Sequence, residues 1–277
     1  MSTITQLPKI AQLSAPVRLL IFIGVLFIVW LPLAIPIYLL LQEDANLASI
    51  ITMGLLFVQL LWMWKLWGKY IYRDRHIFTR YGLVTSKKNA QEFLKGLAIG
   101  FWFCLGLFII EAGAGWLAVT PPTVSLFKIV AEGLISALGI GLAEELLFRG
   151  WLLDELQRDY SRKTCLGVGA VIFALAHFLK PLTEIIRTAV TFPALILLGI
   201  TLIIAKNQHG DRLGICIGIH AGLVWGYYIV NVGKLINYTQ QVPVWVTGID
   251  GNPIAGVMGL LFLTGLMYLV KSLRLNY

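Results

Sequence analysis

Apolar runs recur along this chain at a length that water-soluble folds rarely use. A helix that crosses the hydrocarbon core of a bilayer needs about 20 mostly apolar residues. Runs of that kind fall at 17–41, 47–67, 96–118, 127–153, 164–179, 188–205, 213–231 and 254–270. The fifth and sixth are short, and KPLTEIIR at 180–187 between them reads as interfacial or re-entrant. Together these runs specify an all-α fold, a polytopic transmembrane helical bundle of about eight helices. Only 13% of the residues are charged and 58% are hydrophobic. Soluble domains are about a quarter charged, so lipid solvates most of this surface.

The net charge of +8 raises nucleic acid as a partner, but its distribution is a topology signal. Residues 65–95 hold Lys65, Lys69, Arg73, Arg75, Arg80, Lys87, Lys88 and Lys95 against Asp74 and Glu92, which marks this connection as cytoplasmic. Alternating eight spans from there puts both termini in the cytoplasm, and the cytoplasmic segments and span ends then carry 17 of the 22 basic residues. The first outer loop, QEDAN, is acidic. The expectation is an integral multi-pass protein of a bacterial-type plasma membrane, with the lipid bilayer as partner and no nucleic acid. The start of the chain is largely polar, and the first apolar run exceeds a signal peptide's h-region of about 7–15 residues, so no cleavable signal peptide is expected. Cys104, Cys165 and Cys216 lie within apolar runs without close-spaced partners. They read as small buried hydrophobes. DGNP at 250–253 reads as a turn before the last helix.

Against this background several ionisable groups stand out. The stretch GLAEELLFRGWLL at 141–153 sets Glu144, Glu145 and Arg149 inside an apolar run. Glu145 and Arg149 are four residues apart and share a helical face, whereas Glu144 lies about 100° around the helix from its neighbour. Glu145 is therefore assigned to the arginine and Glu144 to a cavity. FALAHF at 173–178 places Phe173 and His177 one turn apart, and GIHAGLVWGY at 218–227 contains His220. From the cytoplasmic ends of their spans, Glu144 lies roughly 14 Å deep, His177 roughly 19 Å and His220 roughly 11 Å, so all three can meet in the middle of the bilayer. Taken singly, the ion pair reads as structural, each histidine as an interhelical hydrogen-bonding group and Phe173 as packing. Their coincidence at one depth reads as a functional site. Glu111 and Glu132 fall nearer the outer surface and read as interfacial or structural.

EELLFR at 144–149, FALAH at 173–177 and His220 resemble, in kind and order, the EExxxR, FxxxH and third-histidine motifs of the CPBP intramembrane proteases. That family includes type II CAAX prenyl endopeptidases and Abi-type, bacteriocin-associated proteins. The resemblance covers about residues 125–270. It divides the chain into N-terminal transmembrane helices with a basic cytoplasmic loop (1–124), a catalytic helical core (125–270) and a cytoplasmic tail (271–277). One position departs from the family pattern: four residues after His220, where prenyl endopeptidases often carry Asn or Asp, stands Val224.

What the resemblance implies is an intramembrane endopeptidase acting on a peptide or protein substrate through water activated by Glu144. His177 would position that water, His220 would stabilise the oxyanion, and Arg149 would hold the carboxylate pair. It also implies a water-accessible cavity opening to the cytoplasm. Two cofactor readings stay open. Glu144, His177 and His220 are ligand types of catalytic zinc, yet no HExxH is present and a metal-free glutamate mechanism is equally consistent with the motifs. Two other function classes also stay open: a non-catalytic scaffold or immunity protein, which Val224 favours, and a proton-coupled transporter, which mid-depth carboxylates and histidines allow.

Overall fold

In a computed structural model, residues 8–122 and 124–273 are described. Most of the polar start of the chain and most of the tail expected at 271–277 lie outside them. Helices occur at all eight expected positions: α1 (Ala15–Leu40), α2 (Ala45–Trp67), α3 (Lys87–Gly113), α4 (Leu126–Glu145), α5 (Arg162–Ala176), α6 (Phe192–Gln208), α7 (Gly214–Val232) and α8 (Val257–Ser272). The protein is an all-α polytopic helical bundle. Six helical segments are long and apolar enough to cross a bilayer: Ala15–Leu40, Ala45–Tyr72, Lys87–Gly113, Leu126–Gln157, Leu182–Gln208 and Gly214–Val232. With 15 residues in α5 and 16 in α8, these two rise only about 22–24 Å. The stretch expected to be interfacial or re-entrant forms a short helix, Leu182–Thr188, that leads directly into α6. A two-stranded antiparallel sheet pairs β1 (Leu117–Val119) with β2 (Ile236–Tyr238).

The chain divides into two compact units. One comprises Met1–Arg80 and Asp154–Tyr160. Within it α1 and α2 form a hairpin, and Asp44 caps α2 by accepting from the Leu47 N–H at 2.9 Å. Pro32 and Pro36 inside α1 remove backbone donors. Leu20, Ile28 and Leu40 stay exposed, as lipid-facing residues do. Arg18 is buried near the start of α1 and donates to the Glu155 carboxylate at 2.8 Å and to the Glu155 carbonyl at 2.9 Å. Trp67 (3.1 Å) and Tyr72 (2.7 Å) donate to the same carboxylate. A buried ion pair whose remaining lone pairs are satisfied in this way avoids most of its desolvation penalty.

The second unit comprises Tyr81–Leu153 and Ser161–Tyr277 and contains every candidate site residue. Its centre is α7, which packs against α3, α4 and α6, while α6 also packs against α5 and α8. The close approach of α3 and α7 depends on glycines spaced by four: Gly96 and Gly100 on α3; Gly214, Gly218, Gly222 and Gly226 on α7. A Cβ added to Gly100 would fall 2.1 Å from the Ile219 carbonyl oxygen, and one added to Gly218 would fall 2.1 Å from that of Phe93. Two rows of small residues thus let the backbones touch, the usual device where no hydrophobic effect drives helices together in lipid. The gap between Gly218 and Gly222 is where His220 sits.

Other expectations resolve here as well. Cys165 and Cys216 are buried and all three cysteines are free thiols; the Cys216 thiol donates to the Leu202 carbonyl at 3.2 Å. At the expected DGNP turn, Asp250 and Gly251 adopt positive φ, and Asn252 accepts from the Ile254 N–H at 3.3 Å. Glu132 is exposed and lies 3.8 Å from Lys128. Glu111 is fully buried, and among the described residues neither carboxylate oxygen has a hydrogen-bond partner. Its charge is felt at Tyr238, whose phenol is held above its ordinary range by burial first and by Glu111 second. An unpartnered buried carboxyl costs roughly 1–3 kcal/mol. Glu111→Leu is accordingly expected to raise the unfolding temperature in detergent by several degrees; a fall in Tm would show that Glu111 is held by contacts of its own.

Candidate active site

The site forms where α4 ends. From Leu146 to Leu152 the helix widens into a π-turn before resuming its α-helical course. π-helical segments take an extra residue per turn and occur often at functional sites. Glu145 is the last α-helical residue and Arg149 sits within the wide turn, both buried. Glu145 Oε1 accepts from Arg149 Nη1 at 2.8 Å and from His220 Nδ1 at 2.7 Å. The guanidinium lies 4.1 Å from the ring centroid of Phe173, a cation–π contact, and Nη2 reaches to 3.5 Å from the Gly199 carbonyl. Phe173 in turn packs edge-on against His177 at 4.7 Å and Phe148 at 5.1 Å. It is thus a wall shared by the arginine and the first histidine.

Lys206, on α6, is a buried residue that the motifs do not reveal. Its Nζ donates to the Arg149 carbonyl at 2.5 Å and to the Tyr81 carbonyl at 3.1 Å, tying the π-turn to α6. Lys206→Met would strand both carbonyls. A loss of roughly 2–4 kcal/mol of stability is expected, read as a lowered Tm together with lowered activity; an unchanged Tm would contradict this role.

Glu144 points elsewhere, about a third exposed. Its Oε2 lies 3.9 Å from His177 Nε2 and 3.9 Å from His220 Nε2. His177 follows the last residue of α5, and its Nδ1 donates to the Phe173 carbonyl at 2.8 Å, since a carbonyl can only accept. His220 Nδ1 is likewise committed to Glu145. Both rings, held at Nδ1, therefore turn Nε2 towards one carboxylate oxygen. Glu144 Oε2 is itself buried and without a hydrogen-bond partner among the described residues. Three polar atoms thus converge on one point. Separations of 3.9 Å are too long for direct hydrogen bonds and leave the kind of gap that one water bridges.

Those distances also test zinc. A tetrahedral ion about 2.0–2.2 Å from each ligand sets its ligand atoms about 3.4 Å apart. Glu144 Oε2 stands 3.9 Å from each imidazole Nε2, wider than that, and no group of three His, Cys, Asp or Glu among the described residues is arranged to hold a metal ion. The residues do not fit the zinc reading.

An apolar cavity of about 260 Å³ runs from the two imidazoles between α3, α6, α7 and α8, with Phe103, Leu195, Leu223, Val224 and Phe262 among its walls. Val224 is therefore an apolar wall at the position where relatives often carry an amide or acid. The cavity extends towards the end of the unit that carries the β1–β2 pair, with Tyr227 and Asn252 to Ile254 towards that end. α5 is short, and His177 sits at its far end rather than midway along a full span.

Residues 126–231 match the family model described as Rce1-like, type II CAAX prenyl endopeptidase Rce1-like. The match covers less than half of the chain, and the matched segment is similar to that family. It runs from the first residue of α4 to the last turn of α7 and contains Glu144, Glu145, Arg149, Phe173, His177 and His220. The match supports an intramembrane protease of the CAAX type in general terms; α1 to α3 and α8 lie outside it. No curated protein and no solved structure matches the chain.

Proposed function

We propose that the protein is an endopeptidase that hydrolyses peptide bonds of membrane-associated or C-terminal peptide substrates with water activated by Glu144, without a metal. The observation that carries this reading is the convergence of Glu144 Oε2 and two imidazole Nε2 atoms, each 3.9 Å from the carboxylate oxygen. Water held there gives one proton to Glu144 while its oxygen attacks the scissile carbonyl carbon. His177 positions that water. His220, carrying a proton on Nε2 with the buried Glu145 behind it, donates to the oxyanion. Collapse of the tetrahedral species breaks the C–N bond, and the leaving nitrogen takes the proton back from Glu144. Arg149 holds Glu145 rather than touching substrate. The apolar cavity accepts an apolar side chain next to the scissile bond.

The test is cleavage of a peptide library by the protein reconstituted in lipid, followed by mass spectrometry, with metal content measured in parallel. Fragments made by the wild type and absent with Glu144→Gln, from protein stripped of zinc by chelation, are expected. Loss of activity on stripping that zinc alone restores would defeat the metal-free mechanism. Identical products from both proteins would favour the non-catalytic reading that Val224 invites.

A further inference from the structure

Three cavities in the second unit share one wall. The apolar cavity beneath the imidazoles, a second of about 280 Å³ edged by Arg187, Thr191 and Asp250, and a third of about 370 Å³ edged by Asn231, Lys234 and Asp250 are all lined in part by Tyr227. Tyr227 stands two helical turns beyond His220 on α7, where the cavity lining changes from apolar to polar. The third cavity has a further feature. Ile236, Asn237 and Tyr238, the whole of β2, form part of its wall.

One edge of β2 is unused. The register pairs Leu117 with Tyr238, Ala118 with Asn237 and Val119 with Ile236. Flanking bonds run from the Thr120 N–H to the Leu235 carbonyl and from the Thr239 N–H to the Trp116 carbonyl. Hydrogen-bonded positions alternate along an antiparallel pair, so Leu235, Asn237 and Thr239 face β1. Ile236 and Tyr238 direct their N–H and C=O groups away from it, and no third strand covers them among the described residues.

We infer that this edge binds the flank of an extended peptide substrate as an added strand, alongside the cavity that leads to the imidazoles; this rests on the protease reading above. An exposed row of alternating donors and acceptors is matched by another main chain, whereas an acyl chain would leave every one of those groups unpaired. The side chains beside the edge suit a hydrated backbone: Asn231, Asn237 and Lys234. The outer edge of β1, at Leu117 and Val119, borders none of the three cavities. Distance sets the substrate's length. From His220 to Val232 the helix rises about 18 Å, which an extended peptide covers in about five or six residues.

A cleaved peptide lengthened residue by residue, separately at each end, tests this. KM should fall about tenfold, the worth of one or two main-chain hydrogen bonds, once one flank extends about six residues from the scissile bond, with kcat within about twofold. N-methylation of single backbone amides in that outer flank should reverse the gain at every second position only, since alternate amides face β2. Ile236→Pro, which removes an outward N–H but no bond to β1, should abolish the gain from length. A KM independent of length, or a gain indifferent to both N-methylation and Ile236→Pro while Glu144-dependent cleavage continues, overturns the inference. Absence of Glu144-dependent cleavage of every peptide overturns the protease reading, and this one with it.

Discussion

Glu144→Gln is expected to lower kcat/KM by about 10³-fold, within the roughly 10²–10⁴ attributed to a positioned general base, and to leave Tm within about 2 °C of the wild type. The two halves of that result have separate causes. Glutamine keeps the shape and one acceptor oxygen but cannot take a proton from water. Stability is spared because Glu144 makes no direct hydrogen bond that the amide would lose; its oxygen stands 3.9 Å from both rings. Glu145→Gln should behave differently. Its Oε1 accepts from Arg149 and His220 together, so neutralising it leaves a buried guanidinium without its counter-charge, at a cost of roughly 3–5 kcal/mol. Activity and Tm measured on the same samples separate the two carboxylates: Glu144→Gln loses rate alone, whereas Glu145→Gln loses both.

Gly218→Leu is expected to be among the most damaging single changes to folding. Even the first added atom would fall 2.1 Å from the Phe93 carbonyl oxygen, a contact that backbone against backbone cannot relieve without parting α3 from α7. A destabilisation above about 4 kcal/mol follows, read as loss of monodisperse protein after extraction. Any fraction that folds should be slow, because His220 rides on the same turn of α7 and a misplacement of about 1 Å can cost about 10²-fold in rate. Gly139→Leu provides the comparison. On α4, nothing lies within 4 Å of a Cβ at Gly139, and that variant should extract and melt like the wild type.

Much of this architecture could be read from the chain because lipid imposes a simple rule on length and polarity. The eight apolar runs became eight helices, and the spacing of Glu145 and Arg149 put them on one face while turning Glu144 away. Other features depended on information that a window of hydropathy does not carry. Hydropathy cannot tell that Leu182–Thr188 continues into α6, because a short polar-edged helix and an interfacial loop share a composition. The π-turn at Leu146–Leu152 has no local sequence cue, and Lys206 reads as one more basic residue near a span end until α6 is packed beside Arg149. The glycines at 96, 100, 214, 218, 222 and 226 carry a signal that the reading of apolar runs passed over, since a spacing of four marks a packed face. That His177 caps a short α5 rather than sitting midway along a span was not legible either, because hydropathy does not show where a helix stops.

The central claim is that Glu144, His177 and His220 act on one water as a unit, and a cycle of variants measures it. With kcat/KM determined for Glu144→Gln, His177→Ala and the double variant, the double should fall no more than a few-fold below Glu144→Gln alone, as groups that share one step are strongly non-additive. Losses that instead multiply, each substitution taking its full factor regardless of the other, would mean the two side chains serve separate events and would contradict a shared site.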